Sequence, residues 1–236
     1  MNNSRIELVH RFFSGTGSSY DRVVMLNTFG MDLWWKKKIL GKIPDGALRI
    51  LDQGCGTGIL TLRIARKYPR CRVTGVELRE EYLSLAREKA KALKISNADF
   101  ILGRAEEVLL DGAFDCVTSA YLAKYVELEP LIRNIGKMLL PGGVLAMHDF
   151  TYPPNRTFAR VWEFYFRLLQ TAGSWKFPEW REVYERLPEF LRESSWVAEL
   201  TRILAGSGFS RVRVEPLTWG TSALVTARKD QPRPSH

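Results

Sequence analysis

Cysteine is scarce in this chain of 236 residues, which holds three. Cys55, Cys71 and Cys116 are odd in number and widely spaced, which excludes a disulfide framework and paired thiolates around zinc. Reduced, structural thiols are the expectation. Long apolar runs are missing as well: stretches such as Val108–Leu110 and Val144–Met147 end at charge or glycine, far short of the roughly 18 residues a membrane span needs. The opening residues, Met1 to Arg11, lack the apolar run of a signal peptide, so a cytoplasmic protein is expected. No low-complexity block and no internal repeat interrupts the chain. Acidic residues are the minority, 26 against 35 lysines and arginines, and the formal net charge is +9. That balance favours an anionic partner, whether nucleic acid, acidic lipid or phosphorylated substrate, without choosing among them. The length is sufficient for a core that needs no metal or disulfide.

What is present is an alternation of short apolar runs with amphipathic stretches. Residues 1–45 read as an N-terminal helical cap, and residues 46–228 as one α/β domain with an aromatic helical lid inserted at about 152–196. Strands are predicted over Leu48–Gln53, Arg72–Glu77, Ala98–Leu102, Phe114–Ala120 and Gly143–Phe150. Phe209–Glu215 and Trp219–Ala227 are close enough to pair as a hairpin. Between the first two strands, Leu60, Ile64 and Tyr68 recur at i, i+4, i+8 and give one helical stripe to the sheet. Similar helices are expected over Glu80–Leu93 and Glu129–Met138, the latter ended by the turn Pro141-Gly142-Gly143. The lid holds Trp162, Phe164, Tyr165, Phe166, Trp175, Phe177 and Trp180, and residues 229–236 read as a flexible tail.

The run Leu51-Asp52-Gln53-Gly54-Cys55-Gly56-Thr57-Gly58 ends a predicted strand and opens a predicted helix. Glycines there let the main chain turn sharply and approach a ligand closely, and the helix N-terminus offers unpaired N–H groups to a carboxylate. About twenty residues on, Glu77 ends the second strand, where a carboxylate can accept bonds from both hydroxyls of a ribose. A nicotinamide or flavin fingerprint would need a further glycine in place of Ile59.

Together with Leu139-Leu140-Pro141-Gly142-Gly143, these features resemble the class I S-adenosylmethionine-dependent methyltransferases. Tyr20-Asp21, Phe29-Gly30-Met31-Asp32 with Trp35, and Leu217-Thr218-Trp219-Gly220 resemble the ends of the ubiquinone/menaquinone biosynthesis C-methyltransferases. The resemblance implies a Rossmann-like sheet, mostly parallel with a C-terminal antiparallel hairpin and helices on both faces. It implies S-adenosyl-L-methionine as cofactor, with Tyr20 closing over the methionine end, Asp52 and Gly54 beneath it, and Cys55, Gly56, Thr57 and Gly58 around it. Glu77 and Leu78 follow at the ribose, and Arg104, Ala105, Glu106 and Ala120 complete the cofactor set. Two departures stand out. The family's Asp or Asn after the third strand is Arg104-Ala105 here, and its Ala-Phe-Gly-x-Arg-Asn reads Ala120-Tyr121-Leu122-Ala123-Lys124-Tyr125.

The expected substrate is a small aromatic, quinol-like molecule, with another small molecule or RNA as the alternative. Attack by a ring carbon requires the adjoining phenol to ionise, which costs about 4 kcal/mol at pH 7 for a pKa near 10. Lys124 is the first candidate for a stabilising cation, His148 for a base, with Tyr125 beside them. Asp149, standing where the family carries glutamate, and Tyr121, Tyr152 and Trp162 are candidate substrate contacts. Trp34-Trp35 beside Lys36, Lys37 and Lys38 suggests peripheral contact with an anionic membrane, against a plainer reading as core tryptophans with a wet lysine face. Nucleic acid is disfavoured: no Asn-Pro-Pro-aromatic run follows the fourth strand, and Cys116 lies within it.

Overall fold

The computed structural model describes residues 2–231, and side chains from residue 6 onward. Three helices come first: α1 (Asn2–Phe13), α2 (Gly17–Asn27) and α3 (Met31–Leu40). The alternating part follows as β1 (Arg49–Gln53), α4 (Ile59–Lys67), β2 (Arg72–Glu77), α5 (Glu80–Ala92), β3 (Ala98–Leu102), β4 (Phe114–Ala120), α6 (Leu128–Met138) and β5 (Leu139–Phe150). The lid segment is α7 (Arg156–Leu168), a π-turn, α8 (Ser174–Lys176), a 3-10 turn and α9 (Arg181–Glu193). The chain closes with α10 (Trp196–Ala205), β6 (Phe209–Leu217) and β7 (Ser222–Lys229).

The strands form one sheet in the order β3-β2-β1-β4-β5-β7-β6, with β7 antiparallel to both neighbours and the other pairings parallel. Chain direction along the sheet reverses between β1 and β4, so a crevice opens at their carboxyl ends. Periodicity explains the layers. Leu128, Leu131, Ile132, Ile135 and Met138 on α6 are all buried and pack one face with α10. Leu60 and Ile64 of α4 join Trp35, Ile39 and Leu40 of α3 on the other. A third cluster, including Phe12, Val23, Trp180 and Tyr184, ties the N-terminal helices to the lid.

Three expectations need correction. Helix α6 ends at Met138 as expected, but the Pro-Gly-Gly turn is not what ends it: β5 begins at Leu139, ahead of the expected Gly143, with an irregular register before Val144. Gly142 does adopt a positive φ of 78°, but inside that irregular stretch. The second hairpin strand starts at Ser222, because Thr218–Gly220 forms a 3-10 turn whose three residues all have positive φ. Lys229 and Asp230 are not tail: the Lys229 ammonium donates to the Leu139 carbonyl at 2.6 Å and the Asp230 N–H to the Gly208 carbonyl at 2.9 Å. The rest of the expected tail, 232–236, lies outside the described residues. All three cysteines are free and buried, and burial pushes the Cys71 thiol up to about 11. Among the described residues no helix is long and apolar enough to cross a membrane.

Candidate active site

The loop after β1 is shaped by left-handed glycines: Gly54, Gly56 and Gly58 have φ of 66°, 56° and 81°. They serve different ends. A side chain on Gly54 would press on Leu122, and one on Gly58 would come within 2.9 Å of the Ala86 methyl, so Gly58 lets the loop approach α5 and lines none of the three spaces described below. Gly56 is the open position. Its nearest neighbour would be a Tyr82 ring atom at 3.9 Å, which leaves bare backbone facing the crevice. The Gly56 N–H donates to Glu77 Oε2 at 2.9 Å and the Arg79 N–H to Oε1 at 3.0 Å, so the carboxylate is aimed before any ligand arrives. Burial raises the Glu77 pKa, and those amide bonds oppose the rise. Glu77, Leu78, Gly103, Arg104, Ala105 and Glu106 line one cleft of about 100 Å³ with Gly54 and Gly56. Arg104 is tied to Glu106 at 2.9 Å and to Glu107.

A recess of about 30 Å³ adjoins it, lined by Tyr20, Lys36, Asp52, Gly54, Cys55, Gly56, Thr57 and Ala120 among others. Asp52 is buried, and its carboxylate accepts the Thr61 hydroxyl at 2.6 Å and the Thr118 hydroxyl at 2.8 Å. Loss of hydration raises its pKa to about 6. Helix α2 carries Tyr20 into place because its other residues are anchored. Thr16 bonds the Tyr82 hydroxyl at 2.5 Å, the Gly17 N–H donates to Glu81 at 2.8 Å, and Asp21 accepts the Thr57 hydroxyl at 2.5 Å while pairing with Lys89.

Beside these lies a third cavity of about 780 Å³ between α2, α3 and the lid. Its walls include Val23, Phe150, Trp162, Tyr165, Phe166, Trp180, Tyr184 and Leu187, with Lys124 as the cation among them. Tyr20 and Tyr121 line all three spaces and therefore form the joint between them. Tyr121 holds that place under strain, with φ of 66°, a conformation that a bulky residue adopts only when its surroundings impose it. Its hydroxyl donates to Asp32 at 2.7 Å, its N–H donates to the His148 carbonyl at 2.8 Å, and its ring stacks on Phe150 at 4.7 Å.

Lys124 sits in an aromatic box, 4.2 Å from the Tyr125 ring centre and 5.5 Å from that of Phe150, and pairs with Asp149. Burial lowers its pKa, and Asp149 works against that. Asp149 is spent on holding Lys124 and accepting the Lys124 and Phe150 N–H groups, and it does not line the cavity. Tyr152 does not line it either. Its hydroxyl donates to Glu163 at 2.6 Å and its ring meets Trp162 edge-on. His148 lies behind the wall, its ring 5.3 Å from Trp35 and 5.4 Å from Tyr121, with both ring nitrogens unpartnered. Burial, with Lys36 and Lys124 nearby, holds its pKa well below the usual range, so it is neutral and packed, not poised at the cavity. Tyr125 lines both the cavity and the cofactor cleft, its ring stacked on Phe190 at 5.5 Å.

The tryptophan and lysine run divides between core and surface, with Trp34 and Lys37 exposed. Asp32, Trp35, Lys36, Ile39 and Leu40 form a buried stripe of α3, and Lys36 pairs with Asp32. Lys38 pairs with Glu215 at 2.8 Å, and only Lys37 of the three is fully exposed. The sequence reading missed Asp32 and Lys36 as site residues. One signal was available: Asp32 and Lys36 stand at i, i+4 on the face that carries Trp35, Ile39 and Leu40.

Three spaces thus meet at the switch point of a doubly wound sheet. The ubiE/COQ5 methyltransferase family matches residues 1–229. The chain belongs to it. A demethylmenaquinone methyltransferase of Listeria monocytogenes is 31% identical over 228 residues, covering 94% of this chain and 96% of that one. The enzyme of the same name from Thermus thermophilus is 32% identical over 215 residues, covering 90% and 97%. Among solved structures, geranyl diphosphate C-methyltransferase from Streptomyces coelicolor A3(2) superposes with a TM-score of 0.63 at 16% identity, over 89% of this chain and 84% of that one. The [4+2]-cyclase SpnF superposes at 0.64 with 20% identity, over 84% and 82%. These two similarities concern the fold alone, since one scaffold serves several reactions. The protein is an S-adenosylmethionine-dependent methyltransferase, and the bare Gly56 backbone before an aimed, half-buried Glu77 is a cradle that fits the cofactor's sugar.

Proposed function

We propose that this methyltransferase transfers its methyl group to a ring carbon of a quinol that bears an apolar tail, a step of quinone biosynthesis. One observation carries the reading. A large apolar cavity containing one buried lysine is joined to the cofactor cleft through three tyrosines, Tyr20, Tyr121 and Tyr125, that line both. When bound, S-adenosylmethionine supplies a methyl group activated on sulfur. Glu77 would take its ribose hydroxyls, Leu78, Ala105 and Glu106 would flank its base with Arg104, and Asp52, Thr57 and Lys36 would face its amino-acid end. Tyr20 and Tyr121 would close the joint against water, which leaves the ring and the methyl to meet in line.

Lys124 is the residue that makes a phenol reactive. A cation held in an aromatic box can recover one to three of the roughly three pH units by which a phenol resists ionisation at neutrality. Asp149 positions that ammonium, and Tyr125 walls it. The relatives' names support the quinol, and the apolar lid supports its tail. A nucleobase would need polar partners for its edges, whereas this wall offers mostly aromatic and aliphatic side chains.

The test is direct. Purified chain is incubated with S-adenosylmethionine and demethylated naphthoquinols carrying short or long prenyl tails. Mass spectrometry should show a ring-carbon methyl gained on both, with KM falling as the tail lengthens. No methyl gain on any quinol, while calorimetry still shows binding of the demethylated cofactor, overturns the substrate assignment.

A further inference from the structure

The substrate cavity has a rim that none of the described residues covers. Phe29, Trp34, Val161 and Trp219 line the cavity and are exposed at once, Phe29 and Trp219 to 79% and 78%. Two of them are also held there under strain. Phe29 (φ 50°) and Trp219 (φ 54°) occupy the left-handed region that bulky residues avoid. At two distant places in the chain the backbone is thus forced to the same result, a large ring left in solvent at one mouth. Strain of this kind persists only where the surrounding structure imposes it, and it concentrates at binding and active sites.

The rim continues onto α7. Val161, Phe164 and Leu168 recur at i, i+3, i+7 and are all exposed, so from Val161, which also lines the cavity, an apolar stripe continues along the outer side of the helix. Arg160 and Arg167 border this stripe, the Arg167 guanidinium 5.9 Å from the Phe164 ring. From Arg156 to Lys176 the chain has four basic residues and one acid, Glu163, which is already bonded to Tyr152 and Arg192. An exposed apolar stripe edged by arginines is the pattern of a helix lying in a membrane interface.

We propose that the cavity mouth and the outer stripe of α7 dock on an anionic bilayer, so that a tail-bearing substrate passes from lipid into the cavity without crossing water. The proposal rests on the reading above for what the cavity takes up. A second copy of the chain fits the same face less well, because pairing two such faces would set arginines against arginines.

Two double variants test it with the full chain, F164S/L168S and R160E/R167E, none of whose residues lines the cavity. Co-sedimentation with phosphatidylcholine vesicles, with and without phosphatidylglycerol, should recover the wild type at least tenfold more with the anionic lipid. R160E/R167E should bind anionic vesicles at least about twenty-fivefold more weakly, at about fivefold for each arginine withdrawn before the glutamates add repulsion, and F164S/L168S at least tenfold more weakly. Both should methylate a short-tailed, water-soluble quinol like the wild type. Equal binding by all three proteins, or by none, overturns the proposal, as does a dimer in sedimentation velocity that the same substitutions break. Vesicle binding that fails while the soluble quinol is methylated removes this inference alone. Intact vesicle binding with no quinol methylated removes the substrate reading alone.

Discussion

Asp52, the penultimate residue of β1, holds its carboxylate out of water, and the structure gives a magnitude to what that costs. Burial moves its pKa from 3.8 to about 6, against the opposing bonds from Thr61 and Thr118 and the charge of Lys36. A difference of about two units corresponds to about 3 kcal/mol of folding free energy at pH 7. The sign follows from linkage: the folded state holds this proton more tightly, so the penalty is absent below about pH 4, grows as pH rises, and is complete above about pH 6. Replacing Asp52→Asn removes the charge and keeps the shape. One threonine hydroxyl must rotate to accept from the new amide, at about 1 kcal/mol. The net gain is about 2 kcal/mol, or about 4–8 °C in Tm for a chain of this size. Cofactor binding should move the other way. Loss of a charge-assisted bond of about 1.5–3 kcal/mol weakens it tenfold or more. Thermal melts of both proteins at pH 4 and pH 7.5, with calorimetry using the demethylated cofactor, check both halves. A variant that melts below wild type at pH 7.5, or whose advantage persists undiminished at pH 4, refutes the reasoning.

Further outcomes are expected elsewhere in the site. Glu77→Gln should raise the cofactor dissociation constant at least tenfold in the same calorimeter, since one oxygen that faces the crevice becomes a donor. The double variant K124M/D149N removes both buried charges together and avoids leaving one unpaired. Its rate against pH should shift upward by one to three units, and a superimposable profile would exclude Lys124 from phenol ionisation. Gly58→Ala forces a methyl to within 2.9 Å of Ala86 at a φ of 81°. Denaturant unfolding should show a loss of about 1–3 kcal/mol at unchanged slope.

Much of this architecture was legible in the residues. A strand followed by bare glycines and then a helix needs only local backbone chemistry, and the carboxylate that ends the next strand sits beside it because parallel neighbours stay in register. The stripes of α4 and α6 were legible for the same reason, since burial at a period of 3.6 is written in consecutive residues. Strand ends were less so: whether β5 starts before or after Pro141, and whether Trp219 belongs to β7, depends on partners far away in the chain.

The tertiary structure alone decided what the charged and aromatic residues do. Tyr121 meets Asp32 across 89 residues, and Lys124 meets Asp149 across 25. No spacing rule connects such pairs, because side chains that share a low-dielectric site are brought there by packing and not by periodicity. For the same reason His148 looked like a base at a strand end and proved to be a neutral ring behind a wall, while Lys36 looked like wet surface and proved to be inside. A sequence records which residues prefer burial, and only the assembled fold sets which buried charge answers which.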